Sequence, residues 1–204
     1  MTEPRMTLIT GPMFSGKSSW LINQIFKGMC TDKEIVLFTP PPAKIIERKA
    51  RNIKRIVNKN NIVKDYPRFS MHQPVDLDES MAILNERLPD ILLIDEGHFF
   101  DYWIVDMVRK IFRKPETVLT KIDIAIAGLD MDAWGRPIGP MDELFCLATN
   151  VRKLTAKCFK CGKPARYSYK ANDSKKQIEV GDKNIYEARC HNCHDQLLTD
   201  VPGI

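Results

Sequence analysis

Apolar residues fall along this chain in short runs of two different periods, and their alternation predicts the fold. Met6-Thr-Leu-Ile-Thr10 is a brief, β-favouring apolar run. From Lys17 to Cys30 the apolar positions become Leu21, Ile22, Ile25, Phe26 and Met29, the spacing of a helix with one buried face. Glu34–Thr39 (EIVLFT) reads as a second buried strand, stopped by three prolines at 40–42. Ser80–Arg87 reads as a short helix with Ser80 as its cap. Ile91–Asp95 (ILLID) is a strand ending in a carboxylate, Tyr102–Phe112 has helical spacing, and Ile122–Leu129 (IDIAIAGL) is a further buried strand. Apolar strands separated by helices predict a parallel sheet covered on both faces.

The pattern changes near residue 151. Beyond Arg152-Lys-Leu-Thr-Ala-Lys-Cys158 the chain becomes polar, cysteine-bearing and short-stranded. The expected organisation is therefore a 1–151 domain followed by a 152–204 appendage. Of six cysteines, Cys158/Cys161 and Cys190/Cys193 form two C-x-x-C pairs, while Cys30 and Cys146 stand alone and read as small buried hydrophobes. No secretory leader is evident in residues 1–6, and no run approaches the ~18 apolar residues of a membrane span. The expected setting is cytoplasmic and reducing, where paired cysteines hold metal before they form disulfides. A net charge of +5 is mild for a dedicated nucleic-acid binder and suits a protein that handles anionic nucleotides.

Three constellations carry chemistry. Gly11-Pro-Met-Phe-Ser-Gly-Lys-Ser18 matches G-x-x-x-x-G-K-[ST] and lies between a strand and a helix. In such a loop, backbone N–H groups and the helix N-terminus face nucleotide phosphates. Lys17 adds a mobile charge, and the Ser18 hydroxyl a magnesium ligand. The fold class that follows is α/β, a P-loop NTPase-type parallel sheet flanked by helices, with a small C-terminal zinc-ribbon appendage. Asp95 ends an apolar strand where such an enzyme keeps its magnesium-side aspartate, and Glu96 follows, placed to take a proton from a nucleophile. Cys158, Cys161, Cys190 and Cys193 have the spacing of a closed four-thiolate zinc site. The 28 residues between the pairs would be pinned at their base, so that Gly181 and Tyr186 lie in a possible lid or are simply packed. Between 44 and 64 the chain is basic with helical apolar spacing. It reads as a solvated helix face, an arginine reaching an active site, or a nucleic-acid patch without the aromatics that stack bases.

GPMFSGKS, IDEGHFF at 94–100, AGLD at 127–130, KLTAKCFKCG at 153–162 and GDKNIYEARCHNC at 181–193 occur in the order found in the zinc-bearing thymidine kinases of cells, bacteria and large viruses, which the chain resembles over about residues 6–195. The resemblance implies transfer of the γ-phosphate of ATP to the 5′-hydroxyl of thymidine or deoxyuridine. It implies that Gly11, Pro12, Met13, Phe14, Ser15, Gly16, Lys17 and Ser18 bind ATP, with Asp95 on the magnesium side, and that Glu96 is the base. Arg48, the best match to the family's arginine, would stabilise the transferring phosphoryl group. Phe99, Leu129 and Trp134 would wall the base pocket. A zinc-held lasso containing Ile178, Val180, Gly181 and Tyr186 would hold the pyrimidine. Mg²⁺ with ATP, structural Zn²⁺, a homotetramer and feedback by dTTP are further implications, with neither membrane nor nucleic acid as an expected partner. The chain departs from the family pattern at His98, where Gln is usual, around Arg48, where D-x-R-Y is usual, and at Ala133, where an aromatic is usual and Trp134 comes one residue late. Two alternatives stand beside this reading: a kinase for a modified or bulkier deoxynucleoside, and a non-catalytic nucleotide- or nucleic-acid-binding protein.

Overall fold

The computed structural model describes residues 5–41, 63, 65–113, 121–171 and 185–194. In chain order the main elements are β1 (Arg5–Thr10), α1 (Lys17–Cys30), β2 (Ile35–Phe38), β3 (Phe69–His72), α2 (Leu77–Arg87), β4 (Ile91–Ile94), α3 (Trp103–Arg113), β5 (Asp123–Ala127), α4 (Met141–Leu147) and β6 (Asn150–Lys153). The six strands form one sheet in the order β3-β2-β4-β5-β1-β6, and every pairing is parallel. Four short strands follow as two antiparallel pairs: β7 (Ala156–Lys157) with β8 (Pro164–Ala165), and β9 (Tyr167–Lys170) with β10 (Tyr186–Arg189).

The period-2 alternation of a strand explains why the central strands are apolar throughout. Met6, Leu8, Val36, Phe38, Leu92, Ile94, Ile124 and Ile126 point to one face, where α2, α3 and α4 bring Leu84, Ile104, Val108, Met141 and Leu144. Ile9, Ile35, Leu37, Leu93, Ala125 and Ala127 point to the other, against Leu21 and Ile25 of α1. Each large aliphatic group taken fully out of water on these faces contributes about 1.5–3 kcal/mol. All six strands run the same way, so the loops after β1 and β4 open at the same edge of the sheet. Parallel α/β sheets bind ligands at that edge.

Two expectations are corrected. Ser80 does not cap α2: Asp76 does, its carboxylate accepting the Glu79 N–H at 2.8 Å, while Glu79 reaches back to the Val75 N–H at 2.9 Å. The D-x-x-E spacing of a capping box was present in the sequence. Ser80 lies one turn inside, fully buried, donating to the Leu77 carbonyl at 2.7 Å. Cys30 and Cys146 are exposed rather than buried. The inward positions of α1 are Leu21, Ile25 and Gly28, and those of α4 are Met141 and Leu144, which turns both cysteines outward. The edge strands β3 and β6 add to the expected set; their half-exposed faces leave no apolar run to read. β6 pairs with β1 from Asn150 to Lys153. Among the described residues no helix is long and apolar enough to cross a membrane.

Candidate functional site

The loop after β1 has the backbone of an anion cradle. Gly11 has φ +133°, Phe14 +66° and Gly16 +88°, and this winding turns successive N–H groups toward one side. Only glycine fits at position 11, where a Cβ would lie 2.3 Å from the Leu154 carbonyl oxygen. Pro12 and Met13 are buried, Phe14 is 48% exposed at the tip, and Ser15 is half-buried. The Lys17 ammonium folds back over the loop, donating to the carbonyls of Gly11 at 2.9 Å and Pro12 at 2.8 Å. The Met13 N–H is held from outside the loop, by Ser168 Oγ at 3.0 Å.

Across the end of β5, the C-terminus of β4 supplies the carboxylates. The Asp95 N–H extends the ladder to the Phe38 carbonyl at 3.0 Å, which fixes the backbone from which its side chain projects. Asp95 is 3% exposed, and Ser18 Oγ lies 3.5 Å from its Oδ1. Burial, and then the Glu96 carboxylate beside it, raise Asp95 to about 8, with the Lys17 ammonium pulling the other way. A hydroxyl and a carboxylate at that spacing, opposite a phosphate cradle, fit the oxygen-ligand preference of Mg²⁺. Glu96 adopts φ +52°, a conformation that costs a non-glycine residue about 1 kcal/mol or more. Gly97 then allows the turn to press against β5, where a Cβ would lie 2.7 Å from Ile126 Cγ2. The strained turn holds Glu96 half-exposed while Asp95 stays buried.

His98 ties this turn to the loop after β5. Its fully buried Nδ1 accepts the Leu129 N–H at 3.1 Å and lies 3.6 Å from Glu96 Oε2. Because Nδ1 accepts, the neutral ring carries its proton on Nε2, and the Glu96 contact is not a hydrogen bond from Nδ1 in that state. The ring also stacks on Phe99, with centroids 4.1 Å apart. His98 thus joins three of the expected site residues, Glu96, Phe99 and Leu129. The sequence marked it only as a departure from the family pattern.

Trp134 and Ala133 are both buried. Asp132 braces their turn, its Oδ1 accepting the N–H groups of Trp134 and Arg136 at 2.9 Å each. Lys170 Nζ lies 5.7 Å from the Trp134 ring centroid and Arg136 Cζ lies 5.5 Å from it. Lys170 is the cross-strand partner of Tyr186, so two expected pocket residues share one buried lysine as neighbour. Arg48, Ile178, Val180 and Gly181, like most of the basic 44–64 segment, lie outside the described residues.

The four cysteines converge: the sulfurs of Cys158, Cys161, Cys190 and Cys193 all lie within 4.8 Å of one another, with Cys161 and Cys190 at 3.5 Å. Sulfurs about 2.3 Å from a tetrahedral zinc are separated by just under 4 Å, so the cluster fits that ion. Although burial opposes its ionisation, the Cys158 thiol is pulled down to about 6 by backbone hydrogen bonds from Cys190 and Cys161. Hydrogen bonds shared with Cys190 and Cys161 push Cys193 up to about 12. A dication at the centre would resolve this competition among thiols for protons.

A family model described as thymidine kinase matches residues 4–194. The chain belongs to the thymidine kinase family. It is 30% identical to the thymidine kinase of Bacteroides thetaiotaomicron over 190 residues, which are 93% of this chain and 86% of that protein. It is 30% identical to the thymidine kinase of a Rhodothermus species over 186 residues, 91% of this chain and 79% of that protein. The Bacteroides fragilis enzyme is 29% identical over 196 residues, 96% of this chain and 89% of that protein. Family membership makes the chain a kinase and agrees with the expectation drawn from the motifs.

Two outcomes follow from the site's charges. Between pH 3.8 and about 8 the folded chain holds a proton on Asp95 that the unfolded chain releases, so this group's contribution to stability falls as pH rises through that window. Asp95→Asn is therefore expected to be more stable than the parent in metal-free buffer at about pH 8.5, by at least about 1 kcal/mol in urea unfolding, with the difference shrinking toward pH 4. A parent that is the more stable at high pH would contradict this. Cys158→Ser is expected to lose bound zinc, measured by elemental analysis, and to melt several degrees lower, with activity falling as a consequence.

Proposed function

We propose that the protein is a thymidine kinase in the enzymatic sense, transferring the γ-phosphate of ATP to the 5′-hydroxyl of thymidine or deoxyuridine. The observation that carries this reading is the Asp95–Glu96 pair at the end of β4, with Asp95 Oδ1 3.5 Å from the Ser18 hydroxyl of the phosphate loop. Phosphoryl transfer asks for position and charge neutralisation more than for covalent help. Backbone N–H groups of Phe14 to Ser18 would hold the ATP phosphates, and the Lys17 ammonium would leave the loop carbonyls to reach the transferring group. Ser18 and Asp95 would hold Mg²⁺, which supplies positive charge beside the phosphates when bound. Glu96, half-exposed beside them, would take the proton of the attacking 5′-hydroxyl. Arg48 is proposed to steady the charge on the phosphoryl group.

Phe99, Leu129, Trp134 and Tyr186, with Ile178, Val180 and Gly181, are proposed to surround the nucleoside base. Main-chain groups of the lasso would select pyrimidines, because a wrong base leaves buried donors or acceptors unpaired. A zinc-pinned lasso closing over the base would exclude water and favour transfer over hydrolysis. A cytoplasmic homotetramer inhibited by dTTP completes the proposal. A kinase for a bulkier deoxynucleoside is the second reading. It rests on Ala133, buried where the family usually has an aromatic, with Trp134 displaced by one residue.

Glu96→Gln is expected to keep MgATP affinity within about twofold while turnover falls about 100-fold or more; unchanged turnover removes Glu96 as the base. A panel of nucleosides followed by ADP release separates the two readings. Thymidine and deoxyuridine are expected to lead, and thymidine in last place would favour the second.

A further inference from the structure

The phosphate loop is braced by two residues that lie far beyond it in sequence. Gly11 presses against the Leu154 carbonyl, and Leu154 in turn donates its N–H to Thr10 at 2.8 Å. Two residues on, the Met13 N–H is taken by Ser168 Oγ at 3.0 Å, across 155 positions of sequence. Both partners of this bond are buried, Met13 at 8% exposure and Ser168 at 4%. The bond divides the loop. The Met13 amide is committed to protein; within the loop the Ser15 N–H turns back to the Pro12 carbonyl at 3.4 Å, and positive φ angles at Phe14 and Gly16 wind the backbone that leads into α1.

The position of Ser168 is itself set by the cysteine cluster. Ser168 lies in β9 directly opposite Ala188 of β10. The Ala188 carbonyl accepts the N–H of Phe159 at 2.8 Å, and Phe159 lies between Cys158 and Cys161. The tyrosines on either side of Ser168 pack edge-on against His194, with centroids 5.4 Å away for Tyr167 and 5.5 Å for Tyr169. The hydroxyl is therefore delivered to the loop by a hairpin fixed on two sides.

We propose that Ser168 is a positioning residue for the phosphate loop, a hydroxyl from the cysteine-cluster hairpin that fixes Met13 and so presets the N–H groups that follow for a nucleoside triphosphate. This rests on the reading of residues 11–18 as the nucleotide site. A serine suits the place because it presents a short acceptor from a strand without filling the loop. Without it, the Met13 N–H loses this acceptor and the loop must re-form its curve each time nucleotide binds, which lowers affinity on the nucleotide side alone.

The test compares the zinc-loaded chain with Ser168→Ala and Ser168→Thr, measuring MgATP affinity by calorimetry, bound zinc, and KM for ATP and for thymidine. Ser168→Ala is expected to weaken MgATP binding roughly tenfold and raise KM for ATP to match, with KM for thymidine and zinc content within about twofold of the parent. Ser168→Thr, which keeps the hydroxyl and suits a strand, is expected to restore most of the affinity. Wild-type MgATP affinity in Ser168→Ala overturns the proposal, as does equal impairment of both variants, because the effect would then be packing rather than the hydroxyl. A parent chain that binds no MgATP overturns instead the reading of residues 11–18 beneath it.

Discussion

A carboxylate buried at the edge of a parallel sheet is the constraint on which the rest of this structure depends. Asp95 is 3% exposed and lies next to a second carboxylate, and its charge is disfavoured on both counts. Such a group holds its proton until positive charge arrives to meet it. The surroundings are arranged for that arrival. β1 and β4 end at the same edge with β5 between them, the Ser18 hydroxyl faces Asp95 across the gap, and the Lys17 ammonium is held close on loop carbonyls. The strained backbone at Glu96 and the close approach of Gly97 to β5 separate the two carboxylates into a buried one and an accessible one.

The C-terminal segment is tied into this edge rather than hung from it. β6 pairs with β1, Leu154 braces Gly11, and Ser168 holds Met13. The cysteine cluster stabilises a hairpin whose residues reach the phosphate loop through Ser168 and the Trp134 turn through Lys170. The same few short strands thus touch both halves of the candidate site, and they gather four cysteines whose spacing could hold a metal ion beside a small apolar cluster of Ala156, Ala165 and Ala188.

How much of this was legible in the sequence follows from which interactions are local. The central strands, α1, the phosphate loop and the C-x-x-C pairs could be read because period, glycine placement and ligand spacing are properties of neighbouring residues. The edge strands β3 and β6 were not, because an edge needs no apolar run. The cap of α2 was misassigned to Ser80 although Asp76 and Glu79 had the right spacing, since a buried serine looks like a cap until its helix is extended by a turn. The roles of His98, Lys170 and Ser168 depend on partners 16 to 155 positions away, and no pattern along the chain announces them. The resemblance to thymidine kinases, carried by the local motifs, identified the family, while the long-range ties that fit this chain to its task came only from the fold.

The proposed reaction at this edge passes a phosphoryl group from ATP to a nucleoside rather than to water. Product analysis with γ-labelled ATP, with and without thymidine, tests it most directly. Label is expected in thymidine monophosphate in one-to-one ratio with ADP, with ADP formation slower by about 100-fold or more when no nucleoside is present. Label released as inorganic phosphate at the same rate with and without nucleoside would contradict it.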